Sequence, residues 1–215
     1  MGHDSQEVRQ RILAHAAARF LASGFRRLTM DQLASELGVS KKTLYSHFPS
    51  KQELLSAAIH LQLDGLEARL EKVFGAGDLP FPARLDLLLH AVGAQFSAIR
   101  YPLVDDLYRH APRVWQEIDE FRKTVVFSRL EKLLRQGVRE GYVRGDLEPR
   151  LTAFIITQIA QAVFNPAQFV GLGTSPSVVF AAVMSLLYRG VFTDRGRAEF
   201  QTAGRLRGKG RINDA

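Results

Sequence analysis

Cysteine is absent from the chain, which excludes a disulfide framework, a thiolate metal site and a cysteine nucleophile. The six histidines stand at 3, 15, 47, 60, 90 and 110, none in an HExxH pair or other metal-binding spacing, so no metal is expected. A GxSxG elbow, a phosphate-binding P-loop and a GxGxxG turn opening a helix after a strand are all missing. Asp105 and Asp106 are paired carboxylates in sequence only, because adjacent helical residues do not face each other; a solvated helix side is expected there. No catalytic residue, no cofactor and no enzyme activity follow from these patterns. The opening MGHDSQEVRQ lacks the apolar core of a secretory signal, which suits a cytoplasmic protein. Nor does any stretch alternate with period two for long enough to make a strand, so the expected class is all-α.

Charge is present in excess of one sign. With 29 Lys/Arg against 22 Asp/Glu the formal net charge is +7, which suits a polyanionic partner. The excess lies at the two ends. Residues 1 to 53 carry eight Lys/Arg against five Asp/Glu, and residues 189 to 215 carry seven against three. Hydrophobic residues make up 46%, enough for a sizeable core in one or two domains.

The most informative stretch is TMDQLASELGVSKKTLYSHFPSKQE, residues 29 to 53. Thr29 and Gln32 have the spacing of a capping box, and Leu33, Ala34 and Leu37 share one helical face. Gly38 stands where the helix must stop with a positive φ. Ser40 suits the N-cap of a second helix that buries Leu44 and Phe48. Pro49 ends that helix, and Ser50 with Glu53 suggests a further capping box. Burying Leu44 and Phe48 turns Lys41, Lys42, Thr43, Tyr45 and His47 outward. Two readings follow: a helix-turn-helix that reads the DNA major groove, or a helical hairpin with a solvated basic face.

The longer run ILAHAAARFLASGFRRLTMDQLASELGVSKKTLYSHFPSKQELL, residues 12 to 55, resembles the N-terminal domain of TetR-family transcriptional regulators. The resemblance covers about the first quarter of the chain. It implies a three-helix DNA-binding domain over residues 5–53, with the motif at about 29–48. Thr29 and its helix N-terminus would then meet a phosphate. Lys41, Lys42 and Thr43, with the cap Ser40, would lead the recognition helix into the bases. Tyr45 and His47 match family positions that touch backbone or base, and Lys51 would contact phosphate. Glycine is common in the family where Lys42 stands, so an added cation is expected to alter readout there. Arg26 and Arg27 fit either a phosphate or solvent.

Before the motif, Val8, Ile12, Ala16 and Phe20 make the stripe of a helix over 5–22 that Gly24 ends. After it, a long helix over 50–74 shows Leu54, Leu55, Ala58, Leu61 and Leu66 on its apolar face, followed by a loop over 75–82. Helical spacing returns over 83–100 and about 102–109. The longest periodic stretch runs from Ala111-Pro112 to about 140. Residues 151–188 contain no charged side chain, yet Gln158, Gln161, Asn165, Pro166 and Gln168 and the shortness of the second segment argue against a membrane hairpin.

Helices at about 147–170 and 176–190, apolar nearly all round, must bury one face in their own body and another elsewhere. In the resembling family the last two long helices pair with their counterparts, so a homodimer is expected here. Residues 54–195 are thus read as a helical effector-binding and dimerisation domain, and 196–215 as a basic tail. In that tail Arg205, Arg207, Lys209 and Arg211 either add non-specific DNA affinity or are solvated.

Phe96, Tyr101, Trp115, Phe127, Phe154 and Gln158 are the candidate pocket residues, or else plain core. The expected function is a homodimeric repressor of a palindromic operator, released by a small apolar or amphipathic ligand. The alternatives are a DNA-binding dimer without an effector and a basic-helix protein-interaction module.

Overall fold

The computed structural model describes residues 2–98, 101–163 and 176–199; the side chains of 92–98 and 101, with several others near the ends of these segments, lie outside that description. The described residues are helical, apart from turns and one isolated antiparallel bridge between Val143 and Phe192. The helices are α1 (Gly2–Ser23), α2 (Met30–Leu37), α3 (Lys41–His47), α4 (Lys51–Gly75), α5 (Phe81–Ala98) and α6 (Tyr101–His110). Then come α7 (Pro112–Phe121), a π-helical segment (Arg122–Val126), α8 (Phe127–Arg139), α9 (Pro149–Val163) and α10 (Pro176–Val191). Residues 164–170 of the expected dimer helix and residues 200–215 of the tail lie outside the described residues.

Two apolar cores organise these elements. The first gathers Ile12, Ala16 and Phe20 of α1, Leu33 and Ala34 of α2, Leu44 of α3 and Leu54, Leu55 and Ala58 of α4. Leu103 and Leu107 of α6 and Val114 of α7 belong to the same core, so the N-terminal helices are seated on the body. The second core lies between the distal half of α4, α5, α8, α9 and the end of α10, around Leu70, Phe81, Leu133 and Ala153.

Of the expected stripe of α1, Ile12, Ala16 and Phe20 are buried and Val8 is half-buried, with Gly24 ending the helix at φ 82°. Leu61 departs from expectation: it lies at the apolar period of α4 but is 41% exposed. The loop after α4 is shorter than expected, because Phe81 already begins α5 and is buried. Arg84 makes that short turn possible. Its guanidinium donates to the carbonyls of Val73 (3.3 Å), Phe74 (3.2 Å) and Gly77 (2.7 Å), occupying acceptors that the end of α4 leaves open.

The stretch after Pro112 is helical to residue 139, but not with one period. Thr124, Val125 and Val126 are consecutive β-branched residues, which crowd an α-helical backbone. Thr124 Oγ1 donates to Glu120 O (2.8 Å) and Ser128 Oγ to Val125 O (3.0 Å). Such back-bonding loosens the regular ladder. The π-helical winding over Arg122–Val126 lets Phe121 and Val126, five residues apart, line the same cavity.

Candidate nucleic-acid interface and effector cavity

The helix-turn-helix is built from caps. Thr29 Oγ1 accepts from Gln32 N (3.1 Å) while Gln32 Oε1 accepts from Thr29 N (2.9 Å), so the capping box is complete. Gly38 adopts φ 65°, and Val39 N donates to Ala34 O (3.0 Å) as Gly38 N donates to Ser35 O (3.2 Å). That pair of bonds is a Schellman ending, which needs a left-handed residue at Gly38. Ser40 Oγ accepts from Thr43 N (3.0 Å) and starts α3. Ser50 Oγ accepts from Glu53 N (3.1 Å), and its hydroxyl also reaches Glu53 Oε1 (3.4 Å). Leu44 and Phe48 are buried, with the guanidinium of Arg9 lying 4.9 Å from the centre of the Phe48 ring.

The outward side chains of α3 are not equally free. Lys42 is exposed and makes no ion pair among the described residues. Tyr45 is 46% exposed. Lys41 Nζ pairs with Asp31 Oδ2 of α2 at 2.6 Å, with both side chains well exposed. An exposed pair of this kind contributes about 0–1 kcal/mol, so a phosphate can displace Asp31 at little cost. Thr43 is half-buried with its hydroxyl 2.8 Å from Ser40 Oγ, and His47 is also half-buried. The Thr29 hydroxyl is occupied by its capping box, leaving the helix N-terminus rather than the side chain to meet an anion.

Lys51 has an internal role as well. Its Nζ donates to Arg26 O (3.2 Å) and lies 4.4 Å from the centre of the Phe25 ring. Burial holds its pKa below the ordinary lysine value; Asp106 pulls it back up, and Arg26 depresses it further. The lysine therefore pins the start of α4 to the loop between α1 and α2.

That loop is also held from the body, through a residue expected to be solvated. Asp106 Oδ2 of α6 accepts from both Phe25 N and Arg26 N at 2.8 Å. Arg26 Nη1 lies 3.4 Å from His110 Nε2, one helical turn further on, while Arg27 remains exposed. Gly24 allows the approach: a Cβ built there would stand 2.8 Å from Asp106 Oδ2 and 3.2 Å from Pro102 Cβ. Asp105 faces elsewhere, in an ion pair with Arg109 at 2.7 Å.

On its other side α6 borders an apolar cavity of about 280 Å³ inside the body. Leu103, Val104 and Leu107 of α6 line it with Leu66 and Leu70 of α4, Leu88 of α5, Trp115 and Ile118 of α7, and Ile156 and Thr157 of α9. Of the six candidate pocket residues, Trp115 is on this wall. Phe127 is half-buried against the second core and off the wall; Phe154 and Gln158 are exposed on the outer side of α9. The side chains of Phe96 and Tyr101 lie outside the described residues.

Residues 12–58 match the family model described as bacterial regulatory proteins, tetR family. A nucleoid occlusion factor SlmA of Vibrio campbellii is 31% identical over 146 residues, which is 67% of this chain and 74% of that protein. The chain belongs to the tetR family. A SlmA of Marinobacter nauticus is 32% identical over 127 residues, 59% of this chain, and the match spans 64% of that protein's length. The ketosteroid transcriptional regulator KstR2 of Mycobacterium tuberculosis superposes with a TM-score of 0.56 at 26% identity, covering 86% of this chain and 95% of that one. This tetR-family member is accordingly a DNA-binding regulator with an N-terminal helix-turn-helix and a helical C-terminal body. Regulators of the family bind DNA as dimers and are generally not enzymes. Among the described residues, no helix is long and apolar enough to cross a membrane.

Proposed function

We propose that this protein is a homodimeric repressor of a palindromic operator, released when a small apolar or amphipathic molecule enters the cavity beside α6. The observation that carries the reading is the position of α6. One short helix presents Leu103, Val104 and Leu107 to the cavity and the Asp106 carboxylate to the loop that precedes the helix-turn-helix. An occupant that shifts α6 would therefore shift the head. Two recognition helices must reach successive major grooves about 34–36 Å apart, so a change in head separation is enough to weaken binding. The ligand must bind the DNA-incompetent state more tightly, or it shifts nothing.

Dimerisation through α9 and α10 is supported by what they leave uncovered. Leu151, Phe154 and Ile155 lie at i, i+3 and i+4 on α9 and are 57%, 52% and 47% exposed. Val178 and Leu186 of α10 are 58% and 73% exposed. Large apolar side chains in such a stripe suit a partner helix better than water. On α3, Lys42 and Tyr45 are the base-reading or backbone contacts we favour, with Lys41 joining them after release from Asp31. Thr29, Ser40, Thr43, His47 and Lys51 build and orient the reading surface as much as they touch DNA.

The test is a titration of the protein against its own upstream DNA and an unrelated DNA of equal length, at two salt concentrations. Selective binding of a palindrome, weakened by Lys42→Ala and Tyr45→Ala, supports the reading. Equal affinity for both DNAs with a steep salt slope leaves only phosphate attraction and sinks it.

A second reading has its own support. Similarity to the Vibrio campbellii nucleoid occlusion factor extends over 146 residues, more than the 12–58 stretch that matches the family model. A DNA-bound factor acting without a small effector is compatible with that. Mapping bound sites on the chromosome separates the two: a few promoter-proximal palindromes favour the repressor, widely spread sites the second reading.

A further inference from the structure

The cavity is apolar over most of its wall, yet two arginines, Arg122 and Arg129, interrupt it. Arg129 of α8 lines the cavity and also a polar cleft of about 710 Å³ between the end of α4, the following loop and α8. Toward the cleft its guanidinium pairs with Glu71 and lies 5.7 Å from the centre of the Phe74 ring. The side chain of Arg129 is only 18% exposed, whereas that of Glu71 is 57% exposed. The Arg129 Nε is buried and has no acceptor among the described residues. The Nε atoms of Arg19 and Arg84 share this feature, and of the three arginines Arg129 alone borders the apolar cavity.

The cavity's other polar side chains include two that are already committed. Thr157 Oγ1 donates to the carbonyls of Ala153 (3.0 Å) and Phe154 (2.8 Å). Arg122 pairs with Asp119 at 3.1 Å and lies 5.5 Å from the centre of the Trp115 ring. Around the cleft Arg84, Lys132, Arg135 and Arg139 outnumber the carboxylates of Asp78 and Glu140, of which Glu140 already accepts from Phe81 N and Gln136 Nε2, and Arg135 is paired with Glu131. The cationic side of the cleft leads to the Arg129 guanidinium, which borders the apolar cavity as well.

We propose that the cavity takes an amphipathic anion, with an apolar body in the chamber and one carboxylate or phosphate headgroup held by Arg129 where chamber and cleft meet. This rests on the ligand-binding reading given above and adds the ligand's charge and orientation. At about 280 Å³ the chamber is at the low end of ligand pockets, which favours a single short acyl chain or small ring system. The headgroup competes with Glu71 for the guanidinium, and Glu71, being exposed, returns to water at little loss.

Calorimetric titration of the full chain at neutral pH, with decanoate, decyl phosphate and 1-decanol below their micellar concentrations, tests this. Both anions are expected to bind roughly tenfold or more tightly than decanol, as a charge-assisted bond requires. Arg129→Met should lose that preference while keeping its affinity for decanol, which also reports that the cavity is intact; Arg129→Lys should keep part of the preference. Glu71→Gln should tighten both anions. The order of carboxylate and phosphate identifies which headgroup the site was shaped for. Equal affinity for decanol and the anions in the unsubstituted chain overturns the proposal and leaves an apolar ligand site standing. So does a preference that survives in Arg129→Met. No binding of any of the three overturns both readings. Anion binding that depends on Arg129 but leaves operator DNA bound would uphold the headgroup assignment and overturn release by the ligand.

Discussion

Replacing Asp106 with alanine removes a single oxygen that two backbone N–H groups share. The Phe25 N–H is partly buried, so leaving it without an acceptor costs about 1–3 kcal/mol, whereas the exposed Arg26 N–H finds water and loses about 0.5–1 kcal/mol. Together these predict a loss of about 1.5–4 kcal/mol. In a chain of this length each kcal/mol is worth about 2–4 °C, so the melting temperature should fall by roughly 3–16 °C. Asparagine keeps an acceptor at the same place without the charge. A neutral bond is about half as strong, so Asp106→Asn should lose about 1 kcal/mol and melt about 2–4 °C below the unsubstituted protein. Melting followed by far-ultraviolet circular dichroism, at one fixed protomer concentration because a dimer's stability depends on it, measures both. A fall of less than 1 °C for the alanine variant would mean that α6 does not hold the loop in solution. The same variants bear on function. With α3 untouched, operator affinity should change little, while release by an effector should weaken because the head no longer follows α6. Unchanged release in a destabilised Asp106→Ala protein would reduce Asp106 to a structural pin.

Other substitutions test other links. Gly38→Ala places a side chain in the left-handed region with no neighbour within 4 Å of the new Cβ; the expected loss of about 1–2 kcal/mol, read by urea unfolding, is therefore backbone strain alone. Glu148, whose carboxylate accepts from the N–H groups of Leu151 and Arg150 at the start of α9, is held by those bonds below the ordinary value of 4.5. Its contribution is present above that value and is lost as pH falls through the depressed one. The stability gap between the unsubstituted protein and Glu148→Gln should thus be open at neutral pH and close in acid, as thermal melts over that range would show. Phe154→Glu places a charge in the exposed stripe of α9 and should convert dimer to monomer in sedimentation analysis; an unchanged dimer would move the interface elsewhere.

Much of the head was legible because its signals are local. Thr29 with Gln32, Ser40 with Thr43 and Gly38 with Ala34 are partners within a few residues, so spacing alone identifies them. The i, i+4 stripe of α1 is legible for the same reason. The body resists such reading because its decisive partners are far apart in sequence. Asp106 lies 81 residues from Phe25, and nothing near it in the chain signals two waiting N–H groups. Its neighbour Asp105 makes the local pair that a helix predicts, which is why the two look alike in sequence. Periodicity placed Leu61 inside with Leu54, Leu55, Ala58 and Leu66, yet Leu61 alone of that stripe is exposed, because local spacing does not show where neighbouring helices stop covering α4. Nor does a regular helical count over 112–139 survive the Thr124-Val125-Val126 run, whose π-helical winding decides which side chains face the cavity. Arg84 lies in the first turn of α5, and nothing local in the chain ties it to the Val73 and Phe74 carbonyls that it caps.

The assignment of cationic residues to DNA by motif position has a related limit, and Lys41, Lys42 and Lys51 divide on it. All three sit where a family pattern expects DNA contacts, yet Lys41 holds Asp31, Lys51 holds Arg26 O over the Phe25 ring, and Lys42 is exposed with no ion pair among the described residues. What each contributes to binding is the phosphate or base contact minus what it gives up. For Lys41 the loss is an exposed pair worth about 0–1 kcal/mol. For Lys51 it is a partly desolvated contact that also ties α4 to the loop Asp106 holds, so moving it to a phosphate would loosen the path from α6 to the head. Lys51 is therefore better placed to report the position of α6 than to supply affinity, and Lys42 is the reverse.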